Sequence, residues 1–128
     1  MKPHVAKAVD ELDRAFPSSP ILSREDGEGG AYVIVEHVTI GPKYKPCSTW
    51  FGGHITALYP YADIYPLFIG ADVRRVNGVA FDAPVTPGAQ FEQRPALQVS
   101  RRNNHTQNYP QTAVAKFLKV QQFLAELP

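Results

Sequence analysis

One cysteine, Cys47, stands among 128 residues, so no disulfide can form within the chain. No apolar run approaches the ~18 residues that a membrane-spanning helix needs. The first residues, Met1-Lys2-Pro3-His4, lead into a mixed-charge amphipathic pattern and not an apolar signal core. These absences predict a protein of the reducing cytoplasm with no membrane role of its own. An excess of one charge is missing too: 13 basic and 12 acidic side chains leave a net charge of +1. No global field recruits nucleic acid or an anionic membrane, so any partner is found by local shape and chemistry. There is no glycine-rich loop ending in Lys-Ser or Lys-Thr to cradle phosphates, and His4, His37, His54 and His105 show no paired short spacing of the zinc-site kind. Neither a cofactor nor a metal is expected. Internal repeats and a second composition regime are also lacking. At 14.2 kDa the chain is long enough for one core and too short for two, which predicts a single domain over residues 1–128.

What is present is a clear succession of periodicities. Val5, Ala8, Val9, Leu12 and Phe16 recur at helical spacing and are stopped by Pro17 and the Ser18-Ser19-Pro20 turn. Residues 23–30 are polar and glycine-rich, which reads as an exposed loop linking helix to sheet. Residues 31–40, 49–58 and 67–73 are rich in β-branched and aromatic side chains and are separated by turn signals, as in an antiparallel meander. Twelve prolines, about twice ordinary usage, fall outside the expected helices. Proline cannot donate to a sheet ladder, so Pro60, Pro66, Pro84, Pro87 and Pro95 mark crossings and edges, and residues 77–94 are expected to be mostly irregular. Near the end, residues 112–127 form an amphipathic helix with Val114, Phe117, Leu118, Val120, Leu124 and Leu127 inward and Lys116, Lys119, Gln122 and Glu126 mostly toward water. The expected class is α+β: an N-terminal helix, an antiparallel sheet of about four strands and a C-terminal helix.

The last third carries the chemistry. Pro95-Ala-Leu-Gln-Val-Ser100-Arg101-Arg102 is an extended apolar segment that ends on a serine and two arginines, followed by Asn103, Asn104, His105 and Asn108-Tyr109-Pro110 before the final helix. A serine becomes a nucleophile only with a base beside it, and His105 lies five residues on. Arg101 and Arg102 can hold an acidic partner or a C-terminal carboxylate. The plain alternative is an ordinary strand-end hydroxyl beside a solvated arginine pair. A second candidate nucleophile is Cys47, whose neighbours Lys43 and Lys45 would favour a thiolate, against the commoner role of a lone cysteine as a small buried apolar group. Tyr59, Tyr61, Tyr65 and Phe68, with Arg74-Arg75 and Arg101-Arg102, are the residue types of a single-strand nucleic-acid site. The competing expectation is that these rings pack on the core, and no nucleic-acid partner is expected.

The Ser100 segment, Pro110 and the Tyr-Pro-rich stretch Leu58-Tyr59-Pro60-Tyr61-Ala62-Asp63-Ile64-Tyr65-Pro66 together resemble the ubiquitin-conjugating enzymes. The likeness is nearest to bacterial conjugating-like families that lack the usual cysteine, some of which carry a Ser-Arg-Arg or Ser-Arg-His run here. With Pro110 laid on the proline of the family's Trp-Ser-Pro turn, Ser100 falls on or beside the cysteine position. The resemblance implies a ubiquitin-conjugating-like fold, a ubiquitin-like protein and an adenylating activating enzyme as partners, and Ser100 as an acyl carrier through an oxyester. It further implies His105 as base, Asn103 or Asn104 at the oxyanion, and Arg101, Arg102 and Tyr109 as partner contacts. The family's His-Pro-Asn motif has no counterpart between Asn77 and Val99. A non-catalytic variant that binds the same partners as a scaffold is therefore the alternative the resemblance also implies.

Overall fold

A computed structural model describes residues 1–102 and 112–128. Helix α1 (Pro3–Ala15) begins with proline in its first turn, where a missing N–H costs nothing, and buries Val5, Ala8 and Leu12. Among the described residues, eight strands follow: β1 (Ile21–Glu25), β2 (Ala31–Thr39), β3 (Tyr44–Lys45), β4 (Ser48–Ile55), β5 (Leu67–Gly70), β6 (Arg74–Arg75), β7 (Val85–Phe91) and β8 (Arg94–Val99). Helix α2 (Ala113–Glu126) closes the chain, its first turn capped by the Thr112 hydroxyl, which accepts the Ala115 N–H at 3.0 Å. Six strands form one antiparallel sheet in the order β1-β2-β4-β5-β8-β7, and β3 pairs with β6 apart from it. The main sheet thus has six strands where about four were expected.

The two additional strands lie at the edges. Ser23, Arg24 and Glu25, read as loop, belong to β1, and only residues 26–30 turn the chain into β2. Residues 85–91, read as irregular, form β7, where Pro87 and Gly88 sit at a register shift between Thr86 and Ala89. A strand with a single neighbour tolerates proline on its free side and needs few apolar residues.

Both helices cover one face of the sheet. Their apolar side chains join Val33, Val35, Phe51, Ile55, Leu67, Ile69, Leu97 and Val99 in the main core. Alternation along the strands sends Tyr32, Ile34, Trp50 and Phe68 to the opposite face, where they gather around Phe91. Phe91 is carried there by the β7–β8 hairpin, whose two-residue tip, Glu92-Gln93, has φ of 49° and 66°. The tip lies across the outer face. Glu92 accepts from Arg24 on the far edge strand β1 at 2.7 and 2.8 Å, and Arg94 donates to Glu36 on β2 at 2.9 and 3.0 Å. Each arginine holds its glutamate's carboxyl below the ordinary range.

The turn between β1 and β2 is tied by Asp26. Its Oδ1 accepts the N–H groups of Glu28 (2.7 Å) and Gly30 (2.9 Å), and its Oδ2 lies 2.7 Å from His54 Nε2 on β4. The hydrogen bond from His54, followed by the N–H groups of Glu28 and Gly30, holds the Asp26 carboxyl down at about 2. The folded pKa is depressed below the ordinary 3.8, so this contribution is complete above that value and disappears as pH falls through about 2. Urea midpoints measured across this window are expected to fall with pH in the native chain and to fall less steeply in Asp26→Asn. Glu36 and Glu92 supply the residual acid slope. Equal slopes in the two proteins would show that Asp26 is not a source of acid sensitivity.

Candidate functional site

Strand β8 positions the serine. Leu67 of β5 pairs with Val99, and on the other side Val85 pairs with the same residue, so β8 is held by two neighbours up to its last position. The ladder ends one residue later with the Ser100 N–H donating to the Pro84 carbonyl at 2.9 Å. Ser100 is half-buried, and its Oγ accepts from Gln98 Nε2 at 3.0 Å. A hydroxyl oxygen that accepts in this way keeps its own hydrogen available for another group.

Beyond Ser100 the chain is secured to α2 through two lysines one turn apart. Lys116 is 1% exposed. Its Nζ donates to Asp63, 3.1 Å away, and to the Arg101 carbonyl. Burial holds the Lys116 ammonium below the usual lysine value, against the opposing pull of the Asp63 carboxylate; Lys119 and Arg101 push the same way as burial. Lys119 donates to the Arg102 carbonyl at 3.3 Å. The crossing segment between β4 and β5 supplies the rest of the wall. Tyr59 is buried and its hydroxyl accepts the Ala113 N–H at 2.9 Å, so the same segment that delivers Asp63 also fixes the start of α2.

This places Lys116 inward, contrary to the expectation that it faces water, while Leu118, assigned to the apolar face, is 45% exposed. The signal was available in the spacing. Ala113, Phe117, Val120 and Leu124 are the buried positions, and 116 lies three after 113 and four before 120 on the same stripe. Residue type concealed it, because lysine is almost never fully buried unless paired.

The two arginines lie on aromatic rings. The Arg101 guanidinium carbon is 4.7 Å from the centroid of Phe123 on α2, and that of Arg102 is 3.8 Å from the centroid of Tyr65. The structure therefore brings together Arg101, Arg102, Asp63, Tyr65, Lys116 and Lys119, one residue beyond Ser100, whose hydroxyl meets Gln98. Asn103, Asn104, His105 and Tyr109, together with Pro110, lie outside the described residues.

The other candidates separate. Cys47 is exposed between β3 and β4, and its carbonyl accepts the N–H groups of Ile40 and Gly41; it is not the buried apolar group that a lone cysteine usually is. The four aromatic residues of the possible base-stacking cluster do not share a surface. Tyr59 is in the core, Phe68 stacks on Phe91 across the sheet, Tyr65 carries Arg102, and Tyr61 alone is widely exposed. Among the described residues, no helix is long and apolar enough to cross a membrane.

No family model, no curated protein and no solved structure matches this chain.

Proposed function

We propose that the chain is a ubiquitin-conjugating-like component of a bacterial ubiquitin-like protein pathway, with Ser100 as the acceptor of the ubiquitin-like C-terminus. The observation that supports this most directly is the position of Ser100. It follows the last residue of a strand held on both sides and precedes the C-terminal helix, in the element order of the sequence resemblance. In the proposed step the Ser100 oxygen attacks the activated carbonyl, the activating enzyme's leaving group departs, and the hydroxyl proton passes to His105 or to a group of the partner. The Gln98 Nε2–H, already directed at Oγ, stabilises negative charge on that oxygen as the proton leaves. The adenylating enzyme supplies the ATP chemistry.

A second reading, a scaffold that binds the same partners without chemistry, is favoured by one observation. Among the described residues, Ser100 Oγ has Gln98 as its hydrogen-bond partner and no base; Lys116 is committed to Asp63 and the Arg101 carbonyl. One experiment decides between the two. The protein is mixed with its activating enzyme, ATP and the ubiquitin-like protein. An adduct is expected that survives thiol reductant, is cleaved by hydroxylamine or alkali, is absent from Ser100→Ala and is unaffected in Cys47→Ala. An adduct that persists in Ser100→Ala, or none with a competent activating enzyme, leaves the scaffold reading.

A further inference from the structure

Each of Arg14, Arg24 and Arg94 has a carboxylate partner, respectively Asp10, Glu92 and Glu36. Arg101 and Arg102, like Arg74 and Arg75, form no ion pair with a described residue; at this corner Asp63 already faces Lys116. The Arg101 Nε, like that of the ring-stacked Arg75, is buried and has no hydrogen-bond partner among the described residues. A buried, unanswered N–H costs stability, and such a group calls for an explanation. Arg101 and Arg102 thus lie at one strand end whose backbone is tied to Lys116 and Lys119.

Both guanidinium groups are held on their faces. Phe123 lies under one and Tyr65 under the other, while the backbone between them is fixed by the lysine contacts to the Arg101 and Arg102 carbonyls. Stacking leaves a guanidinium's edge N–H groups free and removes part of the side-chain entropy that binding would otherwise cost. Those edges match a carboxylate, which accepts two parallel N–H bonds.

We propose that Arg101 and Arg102, stacked on Phe123 and Tyr65, form a binding site for a peptide's C-terminal carboxylate. Assignment of that carboxylate to the ubiquitin-like protein rests on the function proposed above; the anion site itself does not. A free tail anchored here would end within two residues of Ser100; activation or esterification removes its carboxylate, so the site would hold the partner before activation and after hydrolysis.

The test uses the full chain without activating enzyme, ATP or ubiquitin-like protein. Its failure is therefore distinct from failure of the Ser100 adduct assay. Amide and guanidinium NMR signals are followed while acetyl-Gly-Gly with a free carboxylate, the same peptide as its amide, and inorganic phosphate are added separately. Saturable shifts at Arg101, Arg102 and Tyr65 are expected with the carboxylate peptide, with affinity at least ~tenfold weaker for the amide. Arg102→Gln is expected to lose binding by ~tenfold or more, and Arg102→Lys to recover only part of it, since an ammonium keeps the charge without the fork. Arg102 is exposed, so both variants retain the native spectrum elsewhere. Equal response to peptide and amide, shifts centred away from this corner, or full affinity in Arg102→Gln would overturn the proposal. Binding of phosphate ~tenfold tighter than the peptide would overturn the carboxylate assignment.

Discussion

Lys116→Met is expected to destabilise the protein by about 3–5 kcal/mol, the range for removing one partner of a buried ion pair. Methionine fills most of the volume, so the loss is chiefly electrostatic. The substitution takes the buried ammonium away from the Asp63 carboxylate and from the Arg101 carbonyl, both of which have little water to turn to. Urea denaturation reads the change in midpoint. A companion measurement separates the pair from the rest of the corner: Asp63→Asn should cost less in the Lys116→Met background than in the native chain, because the two groups act on one another. The predicted coupling is about 1–3 kcal/mol. A loss below about 0.5 kcal/mol for Lys116→Met, the level of ordinary surface changes, would mean that the ammonium reaches water despite its burial. The substitution has a second expected consequence for the proposed anion site, since it frees the carbonyl that fixes Arg101.

How much of this was legible in the sequence follows from which elements have two neighbours and which have one. Helix α1 and strands β2, β4, β5 and β8 were readable because each has a face in the core, and the core imposes a period on the residues that enter it. Their boundaries shifted by only a few residues: the strand expected over residues 49–58 ends at Ile55, and that over residues 67–73 ends at Gly70. Strand β1 was hidden because it is an edge. From Leu22 onward all its residues are exposed, so nothing in Ser23-Arg24-Glu25 needed to be apolar. Pro87 and Gly88 hid β7 for a related reason, since they fall at a bulge on the other edge. The candidate site was legible only along the backbone. Ser100 and the arginine pair stood out because they end an apolar strand pattern. Asp63, Tyr65 and Lys116 reach that corner from the crossing segment and α2 through pairings that no local period records.

Gly52→Ala is expected to cost about 1–3 kcal/mol, the range for forcing atoms into a filled space. Gly52 and Gly53 are adjacent on the central strand β4, and alternation points their missing side chains to opposite faces. A Cβ on Gly53 would stand 2.8 Å from Ile64 Cγ2 and 2.8 Å from Leu67 Cδ2 in the helix-covered core. On Gly52 it would stand 2.6 Å from Phe91 Cδ2 and 2.7 Å from Cε2, on the outer face. The glycine at 52 therefore makes room for a ring delivered by the far hairpin, and the ion pairs of Glu92 and Arg94 hold that hairpin down. A double-mutant cycle isolates this contact. Phe91→Ala alone should cost about 3 kcal/mol, since the ring is 6% exposed and stacks on Phe68 with centroids 5.0 Å apart. In that background Gly52→Ala should be nearly neutral, because the Phe91 atoms it would meet are gone, which gives a coupling of about 1–3 kcal/mol. Trp50, the chain's one tryptophan, also stacks on Phe91 and reports the same event by fluorescence. Strict additivity of the two substitutions would show that Phe91 does not lie over Gly52 and that the hairpin does not cover the outer face.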